Sequence, residues 1–276
     1  MLAASVRAFI VVYGGLALLA PLFAFLEAKR PATALRRSKR AIAIDLAYWI
    51  VTPIFSGTLS RLLTLGVVAA VGLAAGFGTD GEALLLHVSR AAPLGSAPAF
   101  VAIPLALVLG DAVAYASHRL RHTRALWPMH SVHHATEELT ALGAARLHPL
   151  DEALDGVLIG VALLFAGASP TVFAWLAPVS LLHTLLLHAN LDWTFGPLGK
   201  VLASPRFHRR HHARDLPPAN FGGVLALWDL AFGTFDMPAQ DAAPFGVTEP
   251  SPPGVGGQLL HPFRQWIDAW SRWTQR

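Results

Sequence analysis

The sequence contains no cysteine among its 276 residues. This absence excludes disulfide bonds, iron–sulfur clusters held by cysteine, and zinc sites built from thiolates. It also means that the redox state of the compartment cannot be inferred from cysteine usage. No metal that this chain binds can be held by a cysteine thiolate.

Charged side chains are also scarce. They make up 14% of the residues, against 54% hydrophobic residues and a mean hydropathy of +0.49, whereas about a quarter of a soluble domain is charged. The composition therefore predicts a membrane protein. A pI near 10.0 is also typical of nucleic-acid-binding proteins. The basic residues, however, occur in short runs beside apolar segments, as in membrane proteins, so we expect no nucleic-acid partner.

Long apolar stretches predict an all-α, integral-membrane helical bundle with about five spans or span-like helices. The first stretch, residues 6–26, could alternatively be a signal peptide. The second carries Pro53, which predicts a kink, and the last two form a hairpin. The stretches are residues 6–26, 41–77 and 98–117, and the two arms of 153–188.

Basic residues set the predicted orientation. The loop Glu27–Arg40 carries six of them, so it should stay in the cytoplasm. We expect a protein of the bacterial inner membrane, with this loop and the histidine clusters of the chain on the cytoplasmic side. Residues 78–97 then form an external loop. We predict three regions: membrane-anchor spans with the basic loop over 1–97, a catalytic domain over 98–236, and a Pro/Gly-rich loop with an amphipathic, membrane-surface helix over 237–276.

Histidines cluster at helical spacing in three places, which read HRLRH, HSVHH and HRRHH. Spacings of three or four put imidazoles on one face of a helix. Eight such side chains exceed the three or four protein ligands that one zinc takes, so the count predicts two metals on the cytoplasmic side. Nitrogen donors leave zinc, copper, iron and nickel open. The eight are His118, His122, His130, His133, His134, His208, His211 and His212.

These clusters resemble the three histidine boxes of the fatty acid hydroxylase and sterol desaturase superfamily, whose members are integral-membrane di-iron oxygenases. Shorter matches accompany them over about residues 105–236. They are the family's RxHP at Arg146–Pro149, its HxN at His188–Asn190, and its closing segment in Asn220–Gly222, Trp228-Asp229 and Phe232–Thr234.

The resemblance implies a membrane-bound oxidoreductase that holds two irons and uses O2. Such an enzyme hydroxylates or desaturates a lipid-like substrate, such as a sterol, a fatty acyl chain, an ether lipid or a carotenoid. It also adds His148 and His188 to the predicted metal ligands. His183 competes with His188 for that role, although its position predicts a hydrogen-bonded core histidine.

Further residues are predicted around the metals. Asp111, Asn190, Asn220 and Asp229 are candidates for orienting the ligands. No glycine fingerprint for a nicotinamide or flavin and no haem-binding HPGG is present, so an external ferredoxin or cytochrome with its reductase is expected to supply electrons. A basic surface near the boxes would dock this donor or contact lipid headgroups: Arg119, Arg121, Arg124, Arg206, Arg209, Arg210 and Arg214.

Two other classes of function are consistent with a histidine-rich membrane protein. A metal transporter should carry its ligands at mid-span, whereas these lie beyond the span ends. A non-catalytic, zinc-stabilised membrane protein should have closed four-ligand sites without a path to a substrate.

Overall fold

The computed structural model describes residues 13–78, 80–239 and 244–274. This part of the chain is helical and contains no β-strand, only isolated bridges, which confirms the predicted all-α class. Residues 6–12 of the first predicted span lie outside the described residues.

Eleven α-helices and two short 3-10 helices make up the described part of the chain. The 3-10 helices are Ala141–Ala145 and Gly196–Lys200. The α-helices are α1 Gly15–Lys29, α2 Lys39–Ala74, α3 Gly81–Ala91, α4 Pro93–Ser96, α5 Ala99–Arg121, α6 Trp127–His134, α7 Pro149–Phe165, α8 Pro170–His188, α9 Pro205–His211, α10 Leu227–Phe232 and α11 Val255–Thr274.

Three helices in the described ranges, α2, α5 and α8, are long and apolar enough to cross a membrane. The sequence had predicted about five spans. Helix α7 falls just short at 17 residues, and α1 has 15 described residues. Large apolar side chains such as Ile50, Phe55 and Phe100 are exposed on α2 and α5, as expected for helices that face hydrocarbon instead of water.

Helix α7 packs against both α2 and α5, and α5 also contacts α8, which together form the body of the bundle. The turn of the α7–α8 hairpin spans residues 166–169, and Ser169 caps α8 by accepting from the N–H of Val172. At Gly156 of α7, an added Cβ would lie 2.2 Å from the Ser60 hydroxyl of α2. The two helices therefore meet where one of them has no side chain.

One end of the bundle gathers the histidine boxes, the basic loop and the C-terminal helix. The loop is fixed there by Thr33, whose N–H donates to the side-chain oxygen of Asn190. Helix α11 is fixed by Trp266, whose indole N–H donates to the carbonyl of Ala125. The outer face of α11 exposes apolar residues: Leu260, Phe263, Ile267, Trp270 and Trp273. That this face contacts the membrane stays a prediction.

Candidate metal centre

The structure brings nine imidazole side chains together in two neighbouring groups, within each of which the potential donor atoms lie no more than 4.8 Å apart. Group one is His118, His122, His130, His134 and His211. Group two is His133, His188, His208 and His212. All eight box histidines and His188 are therefore present, and eight of the nine are buried.

Helical spacing explains how the boxes divide between the groups. Residues four apart lie on one helix face, and each such pair stays in one group: His118/His122, His130/His134 and His208/His212. The histidine at the fourth position of an HxxHH box is rotated by about 100° around the helix from the one at the fifth position. His133 and His211 therefore each turn to the opposite group, so α6 and α9 each contribute to both groups.

The separations within the groups fit bound metals. Facing Nε2 atoms lie 3.0–3.3 Å apart in group one and 3.0–3.1 Å apart in group two. With metal–nitrogen distances of about 2.1 Å, neighbouring ligands lie about 3.0 Å apart in an octahedron and about 3.4 Å apart in a tetrahedron. The donor sets thus fit two metal ions with nitrogen ligands.

Backbone carbonyls fix the orientation of several rings. A carbonyl oxygen only accepts hydrogen bonds, so the Nδ1 that faces it carries the proton and Nε2 keeps its lone pair for a metal. The pairs are His118 with Phe221 at 2.8 Å, His133 with Arg146 at 3.2 Å, His188 with Thr184 at 2.8 Å and His211 with Ala219 at 2.7 Å.

Burial keeps the imidazoles outside the spans neutral. It lowers the pKa of His122 to about 2 and that of His211 to about 3. Burial, aided by neighbouring imidazoles and Arg121, also lowers the pKa of His130 well below its usual value. A neutral imidazole is the form that binds a metal, so these side chains are ready ligands at neutral pH.

Asp151 is a residue of this centre that the sequence reasoning did not single out. It lies in the first turn of α7, is fully buried, and accepts a hydrogen bond of 2.9 Å from Nδ1 of His130. The guanidinium of Arg121 lies 3.4 Å from the same carboxylate oxygen and 2.8 Å from Asp155. A carboxylate behind a ligating histidine holds the ring and increases its basicity.

In the described part of the chain, none of the four residues predicted to orient ligands makes a hydrogen bond to an imidazole. Asp111 accepts from the N–H groups of Val224 and Leu225. Asp229 accepts from those of Phe221 and Gly222. These carboxylates hold the segment whose Phe221 carbonyl binds His118.

The two asparagines among them connect backbone segments. Asn220 donates to the carbonyls of Phe207 and Asp236, and Asn190 binds Thr33 and Arg209. Asn220 has a φ of 60°, a left-handed conformation that asparagine tolerates better than most residues.

His148 does not join either group, which corrects its prediction as a ligand. Its Nδ1 accepts from the N–H of Leu150, which caps α7, and its Nε2–H donates to the carbonyl of Leu259 at 3.1 Å. Both ring nitrogens are thus used in fixing α11. His183 also lies outside the groups, and its buried Nε2 has no hydrogen-bond partner in the described part of the chain.

Three of the seven arginines predicted to dock an electron donor are buried, which corrects that part of the prediction. Arg121 binds Asp151 and Asp155. Arg209 donates to Asn190 and lies over the ring of Phe245, and Arg210 binds Asp236. Arg206 and Arg214 are partly exposed and pair with Asp192 and Asp215. Arg119 and Arg124 are exposed.

A cavity of about 650 Å³ adjoins both groups. Helices α2, α5, α7 and α8 form most of its wall, and His118, His133 and His208 line the end beside the two histidine groups. Apolar side chains such as Leu163 and Phe173 line the part farther from the histidines. The arrangement can hold an extended apolar molecule with one end at the metal site.

Residues 103–234 match the family model described as fatty acid hydroxylase. An ornithine lipid hydroxylase from Rhizobium tropici is 34% identical over 165 residues, which cover 58% of this chain and 50% of that protein. The alkylglycerol monooxygenase of Homo sapiens is 30% identical over 162 residues, which cover 57% of this chain and 36% of that protein.

The alkylglycerol monooxygenase of Danio rerio is 34% identical over 150 residues, or 53% of this chain and 33% of that protein. The chain therefore spans half or less of the length of these relatives. No solved structure was found to match it.

Proposed function

We propose that the chain, whose residues 103–234 match the family model described as fatty acid hydroxylase, belongs with the histidine-box hydroxylases and desaturases and is a membrane-bound, di-iron, O2-dependent oxidoreductase acting on a lipid-like substrate. The observation that supports this most strongly is that nine imidazoles come together in two groups beside one end of an apolar cavity. The related lipid hydroxylase and monooxygenases favour hydroxylation over desaturation.

The ten predicted ligands become nine in this proposal, with His188 kept and His148 removed. Bound iron would supply activation of O2 and removal of hydrogen from an unactivated C–H bond. The protein holds the rings through Asp151 and the carbonyls of Phe221 and Ala219. The cavity holds the substrate chain and keeps water from the reacting carbon.

We also propose that an external donor protein supplies the electrons for the reaction. Hydroxylation by O2 consumes two electrons beyond those of the C–H bond, and the sequence contains no cysteine for an iron–sulfur cluster. The exposed Arg119 and Arg124 offer positive charge for an acidic donor beside the first box, and such docking should weaken as salt is added.

We propose that the histidine end of the bundle faces the cytoplasm, in a bacterium from the inner membrane. The basic loop lies at this end through Thr33 and Asn190, and basic loops stay in the cytoplasm. Single cysteines can be placed in the cysteine-free chain at the exposed positions Arg40 and Glu82. An impermeant thiol reagent added to intact cells should label position 82 and leave position 40 unlabelled; the reverse result would contradict this orientation.

Metal analysis and lipid mass spectrometry test the function together. Protein purified without oxygen from iron-supplied cells should hold about two irons per chain, and host lipids should gain a species heavier by about 16 mass units. A loss of about 2 mass units would indicate desaturation instead. The variants His118→Ala in group one and His208→Ala in group two should abolish the product. One tightly bound zinc, no iron and no altered lipid would refute the proposal.

A further inference from the structure

The cavity has two ends of different chemistry. His118 and His130 line one end, with Glu152 and Asp155 of α7 on the same wall. Leu163 of α7 lies at the other end, 11 residues and about 16 Å further along the helix axis. The cavity is therefore apolar over most of this length and carries carboxylates near the candidate metals.

Glu152 differs in its hydrogen bonding from Asp151 and Thr52, two polar residues near it. Asp151 is already used by His130 and Arg121, and the Thr52 hydroxyl donates to the carbonyls of Ala145 and Leu147. Among the residues that the structure describes, no hydrogen bond is made by the Glu152 carboxylate. The Glu152 side chain is half-buried and lines the cavity.

A half-buried carboxylate without a hydrogen-bond donor is costly, because burial removes part of its hydration and no protein group replaces it. Arg121 lies nearby, but its guanidinium is shared by Asp151 and Asp155. The wall thus holds three carboxylates and one guanidinium, which favours a ligand with hydrogen-bond donors or positive charge and disfavours an anion.

We propose that Glu152 binds the polar head of the lipid substrate by accepting a hydrogen bond from a hydroxyl or ammonium group. This inference rests on the proposed function. The head then lies at the histidine end of the cavity and the apolar chain lies along Leu163 and Phe173. The carbon that is oxidised belongs to the head or to the first part of the chain, and the substrate class is a lipid with a donor-bearing head, in contrast to a fatty acid anion.

Competition binding tests this directly. Full-length, metal-loaded protein in lipid nanodiscs is cross-linked to a photoreactive 1-O-alkylglycerol, and three competitors with the same chain are compared: 1-O-hexadecylglycerol, its di-O-methyl ether, and hexadecanoate. The free diol should compete about tenfold better than the ether, the effect of one hydrogen bond to a charged group. Hexadecanoate should compete least.

Variants assign the preference to Glu152. Glu152→Leu should bring the ratio between diol and ether to about one, whereas Glu152→Gln should keep part of it because an amide oxygen still accepts. Ser180→Ala, which removes a cavity-lining hydroxyl from α8, should leave the ratio unchanged. If the Leu variant does not fold, the partial loss in the Gln variant decides.

Three results would overturn the inference: a wild-type protein that does not distinguish diol from ether, a Glu152→Leu variant with an unchanged ratio, or loss of metal from that variant, which would assign the carboxylate to the metal. Oxygenated product is measured separately. Product with no dependence of binding on Glu152 contradicts this inference alone, whereas head-dependent binding without any product contradicts the proposed function.

Discussion

The hydrogen bond between Asp151 and His130 predicts that one of the two candidate metal positions can be weakened selectively. Asp151→Asn keeps the size of the side chain and an oxygen that can accept from Nδ1 of His130, but removes the negative charge. Asp151→Ala removes the acceptor altogether. Group two contains no ligand that contacts Asp151, so it should be unaffected.

The magnitude follows from the contact. A hydrogen bond to a charged group is stronger than one to a neutral group by about 1–1.5 kcal/mol, or about tenfold in affinity. Asp151→Asn should therefore weaken the metal of group one about tenfold. Loss of the whole partner in Asp151→Ala should weaken it about 100-fold, the upper range for residues that support metal ligands.

Titration of the iron-loaded protein with a chelator measures both positions. The wild type should release two metals over a similar range, whereas the Asp151 variants should release one of the two at lower chelator concentration. Asp155→Asn is the matched control, since Asp155 also pairs with Arg121 but touches no imidazole. Equal release from both positions in Asp151→Ala, or equal weakening in Asp155→Asn, would refute this reasoning.

Three further predictions concern other residues. His188→Ala should lower the bound metal to about one per chain whereas His148→Ala should not, as measured by metal analysis; the same loss in both would restore His148 as a ligand. Arg209→Ala should destabilise the protein by about 1–3 kcal/mol in denaturant unfolding because it removes one buried donor to Asn190 and the contact with Phe245. The exposed Arg124→Ala should have no effect, and equal stabilities would contradict this burial argument. Acidification below about pH 6.5 should destabilise the metal-free protein by up to about 1.4 kcal/mol per pH unit for each histidine such as His122 and His211. Burial lowers the pKa of these side chains, so only the unfolded state binds protons in this pH range. A thermal unfolding temperature that does not change between pH 7 and 5 would refute this prediction.

The box histidines could be predicted from the sequence because their geometry is local. A spacing of four residues within a helix fixes two side chains on one face, and this holds in the structure for His118 and His122. The sharing of α6 and α9 between both groups follows from the same rule, applied to His133 and His211. The helical class and the hairpin could be predicted because apolar length and turn residues are also local signals.

The partners of those histidines depend on tertiary contacts and could not be predicted in the same way. His148 has the residue type and the burial of a ligand, yet its ring is taken by the carbonyl of Leu259, which is 111 residues further along the chain. Arg209 lies in a basic run that favours a surface, yet Asn190 and Phe245 enclose it. No periodicity in the sequence encodes such long-range pairs.

Asp111 and Asp229 show why a correct residue type can still be assigned the wrong contact. Both are buried carboxylates close to the metal site, and buried carboxylates need donors. Imidazole N–H groups would satisfy them, but the N–H groups of the segment 221–225 do so instead. This segment then presents the Phe221 carbonyl to His118. Side-chain identity does not specify where a backbone carbonyl points, so the carbonyls that fix His118 and His211 follow only from the folded path of the closing segment.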